Sequence, residues 1–279
     1  MRKKIIIAHS PDSDDAFMFY AFAAEKIDTR GYVFDHYLHD IQSLNDDAET
    51  GRFEISAVSI HAFPYIADKY ALMTCGASMG DNYGPMVVTR EPVAPDALTQ
   101  LTVAVPGLKT SAYLALKLWN PHIKTVVMSF DRIMEGVEKG KVDAGLLIHE
   151  GQLTWKDRGL YSVINLGEWW YKLTDGLPLP LGGNVVRRDL GQKTMQELNA
   201  ILREAIRYAI EHKKEALSYA MKYAGEMDTQ RAGEFVSMYV NDLTIDYGER
   251  GREAIRRFLS MASERGLVPK IPVESMMVL

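Results

Sequence analysis

Short β-branched runs alternate with helical stretches in the first half of the chain, and the alternation runs through two cycles. In the first cycle Ile5-Ile6-Ile7-Ala8 is closed by Ser10-Pro11-Asp12, and residues 16–24 follow as an apolar helical stretch. Residues 32–38 are β-rich, residues 42–49 read as a helix that stops at Gly51, and residues 53–58 read as a further strand. Glycine suits that stop because it takes the left-handed backbone that ends many helices. The second cycle starts with a strand at residues 101–105, turns at residues 106–110 and enters a helix near Ser111. A strand at residues 126–128, a helix at residues 131–138 ending at Gly140, and a nearly continuous apolar strand at residues 142–148 complete it. Such alternation predicts α/β layering with a largely parallel sheet.

The cycles share letters as well as pattern. Glu49-Thr50-Gly51-Arg52-Phe53-Glu54 and Glu138-Lys139-Gly140-Lys141-Val142-Asp143 both read acid, any residue, glycine, base, apolar, acid, and then a strand. Two similar lobes would produce such a repeat. Residues 85–95 and 176–184 are candidate crossings between the lobes, and the prolines of the second are expected to keep it out of any central strand. From Thr194 onward, Leu198, Ile201, Leu202, Ala205, Ile206, Ala209 and Ile210 recur at helical spacing, which predicts amphipathic helices packed around the first lobe. A chain of 279 residues has room for this organisation. The expected architecture is therefore two α/β lobes joined by two crossings. Residues 1–90 and 186–279 form the discontinuous first lobe, residues 91–185 form the second, and a ligand cleft lies between them.

Charge and cysteine content narrow the partners. Lys+Arg 32 against Asp+Glu 37 gives a net charge of -5, so the basic footprint of a general nucleic-acid binder is missing and a small molecule is the expected partner. The single Cys75 excludes an intrachain disulfide and thiolate-based zinc sites. The apolar run after Met1-Arg2-Lys3-Lys4 stops at His9, short of the roughly 7 to 15 residues of an export signal. No later segment reaches the roughly 18 uninterrupted apolar residues of a membrane helix, so a cytoplasmic protein is expected.

In open α/β sheets the ligand crevice faces the carboxyl ends of the strands, which makes polar residues just after apolar runs the candidates. These are residues 9–15, 59–61, 109–112 and 149–150. His149 is the sharpest, because an apolar strand delivers it, and an imidazole pKa of about 6.5 suits proton abstraction near neutrality. A satisfied structural histidine fits its position equally well. Asp12-Ser13-Asp14-Asp15 precedes a helix, where capping is the commoner role. The functional reading has Asp15 orient and polarise His149 across the cleft. Lys109-Thr110-Ser111 sits at a strand-to-helix turn whose hydroxyls and N–H groups suit a carboxylate or phosphate, although capping by Thr110 or Ser111 is the more frequent use. Ser59 holds the equivalent place in the first lobe, so the pair favours an anionic organic ligand. His36 and His39, three apart in a strand, are expected on opposite faces. Trp169-Trp170-Tyr171 suits core packing better than an aromatic wall. No G-x-S-x-G, G-x-x-x-x-G-K or H-E-x-x-H pattern occurs.

Four ordered motifs carry a family resemblance: Ser10-Pro11-Asp12-Ser13-Asp14-Asp15-Ala16-Phe17-Met18-Phe19-Tyr20, Val105-Pro106-Gly107 through Thr110-Ser111-Ala112-Tyr113, Gly145-Leu146-Leu147-Ile148-His149-Glu150, and Gly176-Leu177-Pro178-Leu179-Pro180-Leu181-Gly182. Together they resemble the 1,4-dihydroxy-6-naphthoate synthase family of the futalosine route to menaquinone. The resemblance implies a fold like the type II periplasmic binding proteins, turned to catalysis, with cyclic dehypoxanthine futalosine, a small aromatic carboxylate, as substrate. It also implies that His149 is the general base and that Ala57, Val58, Ser59, Ser111 and Ala112 line the substrate site beside Thr110. No metal or organic cofactor is implied. Many members read Pro-Asn where this chain has Ser13-Asp14, which adds a carboxylate beside Asp15. A chorismate dehydratase-like enzyme of the same route and a non-enzymatic solute-binding protein are the competing expectations.

Overall fold

The computed structural model describes residues 3–224, 227–272 and 276–278. Met1 and Arg2 of the basic start lie outside the described residues. The strands in chain order are β1 (Lys3–His9), β2 (Tyr32–Leu38), β3 (Ile55–Ser59), β4 (Tyr70–Leu72), β5 (Ser78–Gly80), β6 (Met86–Thr89), β7 (Thr102–Val105), β8 (Lys124–Val127), β9 (Ala144–Leu147), β10 (Tyr161–Asn165) and β11 (Leu179–Arg187). They form two sheets, ordered β2-β1-β3-β11-β4, with β5 on β11, and β10-β6-β9-β7-β8.

The two cycles give two matching half-sheets. β1 lies parallel between β2 and β3, as β7 does between β8 and β9. β11 then closes antiparallel on β3, and β6 antiparallel on β9. The repeated letters have equivalent tasks. Glu54 accepts the Ile6 N–H of β1 at 2.9 Å, and Asp143 accepts the Thr102 N–H of β7 at 2.8 Å. Gly51 and Gly140 turn the chain into those strands at φ 74° and 68°, a left-handed region where a side chain would be strained.

Both sheets are mixed, where the sequence predicts a largely parallel one. A helical crossover returns the chain to the same end of a sheet, giving a parallel strand. A chain arriving from the other lobe enters at the cleft end and runs antiparallel, as β6 and β11 do. The second proline-rich stretch is likewise corrected, since β11 is a central strand with partners on both sides from Gly182 onward. Pro180 lies in its first part, where β5 is the strand recorded beside it, and the register shifts between Pro180 and Gly182. A proline there takes little from the ladder.

One hydrophobic core joins the sheets, with Val58 and Val185 from the first, Val103 and Leu146 from the second, and the fully buried Trp170 and Phe258. Trp170, in the helix Leu166–Leu173, donates its indole N–H to Pro178 O at 3.0 Å, so its place in the core satisfies its polar atom. The helix Gln192–Glu211 buries Leu198, Ile201, Leu202, Ala205, Ile206 and Ala209 of the predicted stripe, leaves its last member Ile210 half-buried, and packs with Ile5 and Ile7 of β1. By sheet membership we propose that the crossings fall at residues 81–85 and 174–178. This puts β6 with the second lobe and β11 with the first, whereas limits at 90 and 186 divide these strands the other way. No helix among the described residues is long and apolar enough to cross a membrane.

Candidate active site

A cavity of about 110 Å³ lies between the two sheets, at the carboxyl ends of β1, β3, β7 and β9. Each of the four strand-end stretches contributes to it: Asp15 after β1, Ala57, Val58 and Ser59 on β3, Thr110, Ser111 and Ala112 after β7, and His149 after β9. Asp12 and Asp14 line it too, with Gly182 and Gly183 of β11 and, from the helix Thr229–Tyr239, Phe235 and Tyr239.

His149 takes φ 51° just past the end of β9, a left-handed conformation uncommon outside glycine and typical of constrained functional positions. Its Nδ1 lies 3.0 Å from Asp12 Oδ2, and the Phe130 ring meets the imidazole edge-on with centroids 4.9 Å apart. Nε2 is buried and has no hydrogen-bond partner among the described residues. Burial disfavours the imidazolium, but the carboxylates of Asp12, Glu150, Asp14 and Asp40 outweigh it and hold the His149 pKa above its ordinary value.

The carboxylate that meets His149 is therefore Asp12, and the expected partner Asp15 faces elsewhere. Asp15 Oδ2 accepts the Ser10 N–H at 2.8 Å and stands 4.0 Å from His9 Nδ1. Helix geometry explains the exchange, because side chains in the first turn lean toward the N-terminus and Asp15 falls back onto the chain preceding its own helix, Ser13–Met18. Asp12, the cap residue, makes no side-chain capping bond and is left to face the second lobe. Its Oδ2 also accepts the Ser10 hydroxyl. Burial, followed by the charges of Asp14 and Asp12, pushes Asp15 well above the usual carboxylate range. Burial and then Asp12 push Asp14 up to about 7.

At the turn after β7 the hydroxyls serve structure. Thr110 caps the helix Ser111–Trp119 by accepting the Tyr113 N–H at 3.2 Å and donates to Gly107 O at 2.9 Å. Ser111 Oγ donates to Leu181 O at 2.5 Å and accepts the His61 N–H at 3.1 Å, which ties the second lobe to β11 and to the end of β3. As the first two helical residues, Ser111 and Ala112 have amides without an intrahelical acceptor, and no other acceptor meets them among the described residues. Lys109 is drawn away to Asp46 at 2.9 Å and Glu49 at 2.5 Å. Ser59 is gripped by Asn45, a residue that the sequence reading missed and that carries no local signal.

The other candidates stay outside the cavity. His61 Nδ1 lies 3.1 Å from Thr110 O, and burial lowers its pKa to about 4. His9 Nε2 meets His36 Nδ1 at 2.9 Å, and burial, then His36, lowers His9 to about 3. His39 lies one residue past β2, 2.8 Å from Asp40, so it shares no strand face with His36. The aromatic lining comes from Phe235 and Tyr239, the latter donating to Gln152 Oε1 at 2.7 Å, rather than from residues 169–171.

Residues 5–264 match the family described as menaquinone biosynthesis. Two curated relatives bear the name 1,4-dihydroxy-6-naphtoate synthase. That of Thermus thermophilus is 37% identical, over 95% of this chain and 96% of its own. That of Streptomyces coelicolor is 39% identical, over 95% of each. A crystal structure of a protein from Archaeoglobus fulgidus aligns with a TM-score of 0.91 and 45% identity, covering 95% of this chain and 98% of its own. The alkanesulfonate-binding protein of Xanthomonas axonopodis pv. citri, bound to MOPS, shares the fold at a TM-score of 0.72 and 10% identity, covering 99% of this chain and 96% of its own. The architecture is thus that of the periplasmic binding proteins, and the chain belongs to the menaquinone biosynthesis family.

Proposed function

We propose that this protein is a carbon–carbon lyase that converts cyclic dehypoxanthine futalosine to 1,4-dihydroxy-6-naphthoate, with His149 as the general base. The observation that carries the reading is an imidazole on the cavity wall with one nitrogen held by Asp12 and the other, Nε2, unpartnered among the described residues. Nε2 takes a proton from the sugar-derived part of the substrate. Ring opening, carbon–carbon cleavage and aromatisation follow, releasing the naphthoate and a small dihydroxyacetone-like fragment. The unpaired amides of Ser111 and Ala112, at the positive end of a helix, suit the substrate carboxylate. Ala57, Val58, Phe235 and Tyr239 offer the apolar surface that a flat ring system needs. Positioning in a closed cleft, with water excluded, supplies much of the remaining rate. A planar aromatic carboxylate as ligand and a cytoplasmic place of action go with this reading.

The test is to incubate purified protein with cyclic dehypoxanthine futalosine and follow the naphthoate by chromatography. Turnover supports the reading. Binding without turnover overturns it in favour of a solute-binding protein.

A further inference from the structure

We propose that Asp12 is the positioning residue of the general base, supplied to His149 from the opposite lobe. The inference rests on the functional reading above and adds a residue to it. Asp12 follows β1 of the first sheet and His149 follows β9 of the second, so their 3.0 Å contact spans the cleft.

The turn that presents Asp12 is tied at both ends. The Ser10 hydroxyl donates to the same Oδ2 that meets His149, and the Ser10 amide is held by Asp15 at 2.8 Å. On the His149 side, the Phe130 edge limits rotation of the ring. A neutral imidazole has one N–H, and a carboxylate acceptor at Nδ1 fixes that hydrogen there. The lone pair is then on Nε2, the nitrogen left without a partner among the described residues. Asp12 therefore selects the tautomer, aims the ring and stabilises the imidazolium formed when the base takes its proton.

The other charged groups facing His149 are Asp14 from the helix that follows Asp12, Asp40 from the end of β2, and the adjoining Glu150. Among the described residues, Asp12 is the carboxylate within ion-pair distance of the ring. Replacing it removes the directed contact and leaves the more distant charges in place.

The experiment measures kcat and KM against pH for wild type and Asp12→Asn, and titrates the His149 imidazole of both proteins by NMR without substrate. In Asp12→Asn, kcat is expected to fall by about tenfold to a hundredfold with KM within about threefold. The acid limb of kcat and the His149 titration should both move to lower pH by about one unit. Unchanged limb and titration overturn the proposal even if the rate has fallen, because general damage lowers the rate without moving them. Asp12→Ser, with a smaller side chain, serves if the amide variant does not fold. A wild type without turnover would count against the functional reading, and the NMR titration would still decide the role of Asp12.

Discussion

Asn45 holds Ser59 at two atoms. Its Oδ1 accepts the Ser59 N–H at 2.8 Å and its Nδ2 donates to Ser59 Oγ at 3.0 Å, with the Asn45 side chain fully buried. The fully buried Leu44 and Ala48 anchor the helix Ile41–Glu49 on either side of it. The bonds thus pass the packing of that helix on to a cavity-lining serine.

Asn45→Ala leaves the Ser59 amide unpaired in a buried place, a loss of about 1–3 kcal/mol. Urea unfolding should show this, and KM should rise several-fold because Ser59 loses its fixed position. Unchanged KM in a destabilised variant would separate Ser59 from substrate binding.

Arg250 ties together the two proposed crossings. Its Nη1 and Nη2 grip Asp81 at 2.7 and 2.6 Å, and its Nε donates to Gly176 O at 3.1 Å. Asn82 and Asp175, beside these contacts, take the left-handed backbone at φ 63° and 54°. Arg250→Ala is expected to widen the cleft on average, with higher KM and a larger radius of gyration by small-angle X-ray scattering. The melting temperature should change little, since exposed ion pairs contribute little to stability. Unchanged scattering and KM would show that this guanidinium does not govern the cleft.

Asp14 makes stability depend on pH. Its native pKa of about 7 exceeds its ordinary value of 3.8, with burial as the first cause and Asp12 the second. Through that window the folded protein holds a proton that the unfolded chain releases, so this group's stabilisation is complete at low pH and is lost as pH rises towards neutrality. Asp14→Asn cannot ionise, and the variant should gain stability relative to wild type at pH 8 more than at pH 5. Chemical unfolding at the two values checks this, and an equal difference at both would contradict it.

The fold was legible where the signal is local. The apolar runs marked β1, β3, β7 and β9, and the repeated Glu54 and Asp143 marked a repeated topology because each binds the opening strand of its own cycle, β1 or β7. The antiparallel course of β11 was not legible, since Pro180 reads as a strand breaker until its position beside β5 is known. Strand-end reasoning found the cavity wall, because parallel strands deliver their ends to one place. That Asp12 and not Asp15 meets His149 was not legible, because the direction of each side chain in the acidic turn is decided by the first helical turn.

The central claim is that His149 Nε2 takes the proton. The most direct measurement compares His149→Ala with wild type under single-turnover conditions, with substrate affinity determined separately by calorimetry. The account predicts loss of product formation by several orders of magnitude with affinity largely kept and the fold unchanged. A variant that forms product at the wild-type rate would contradict it.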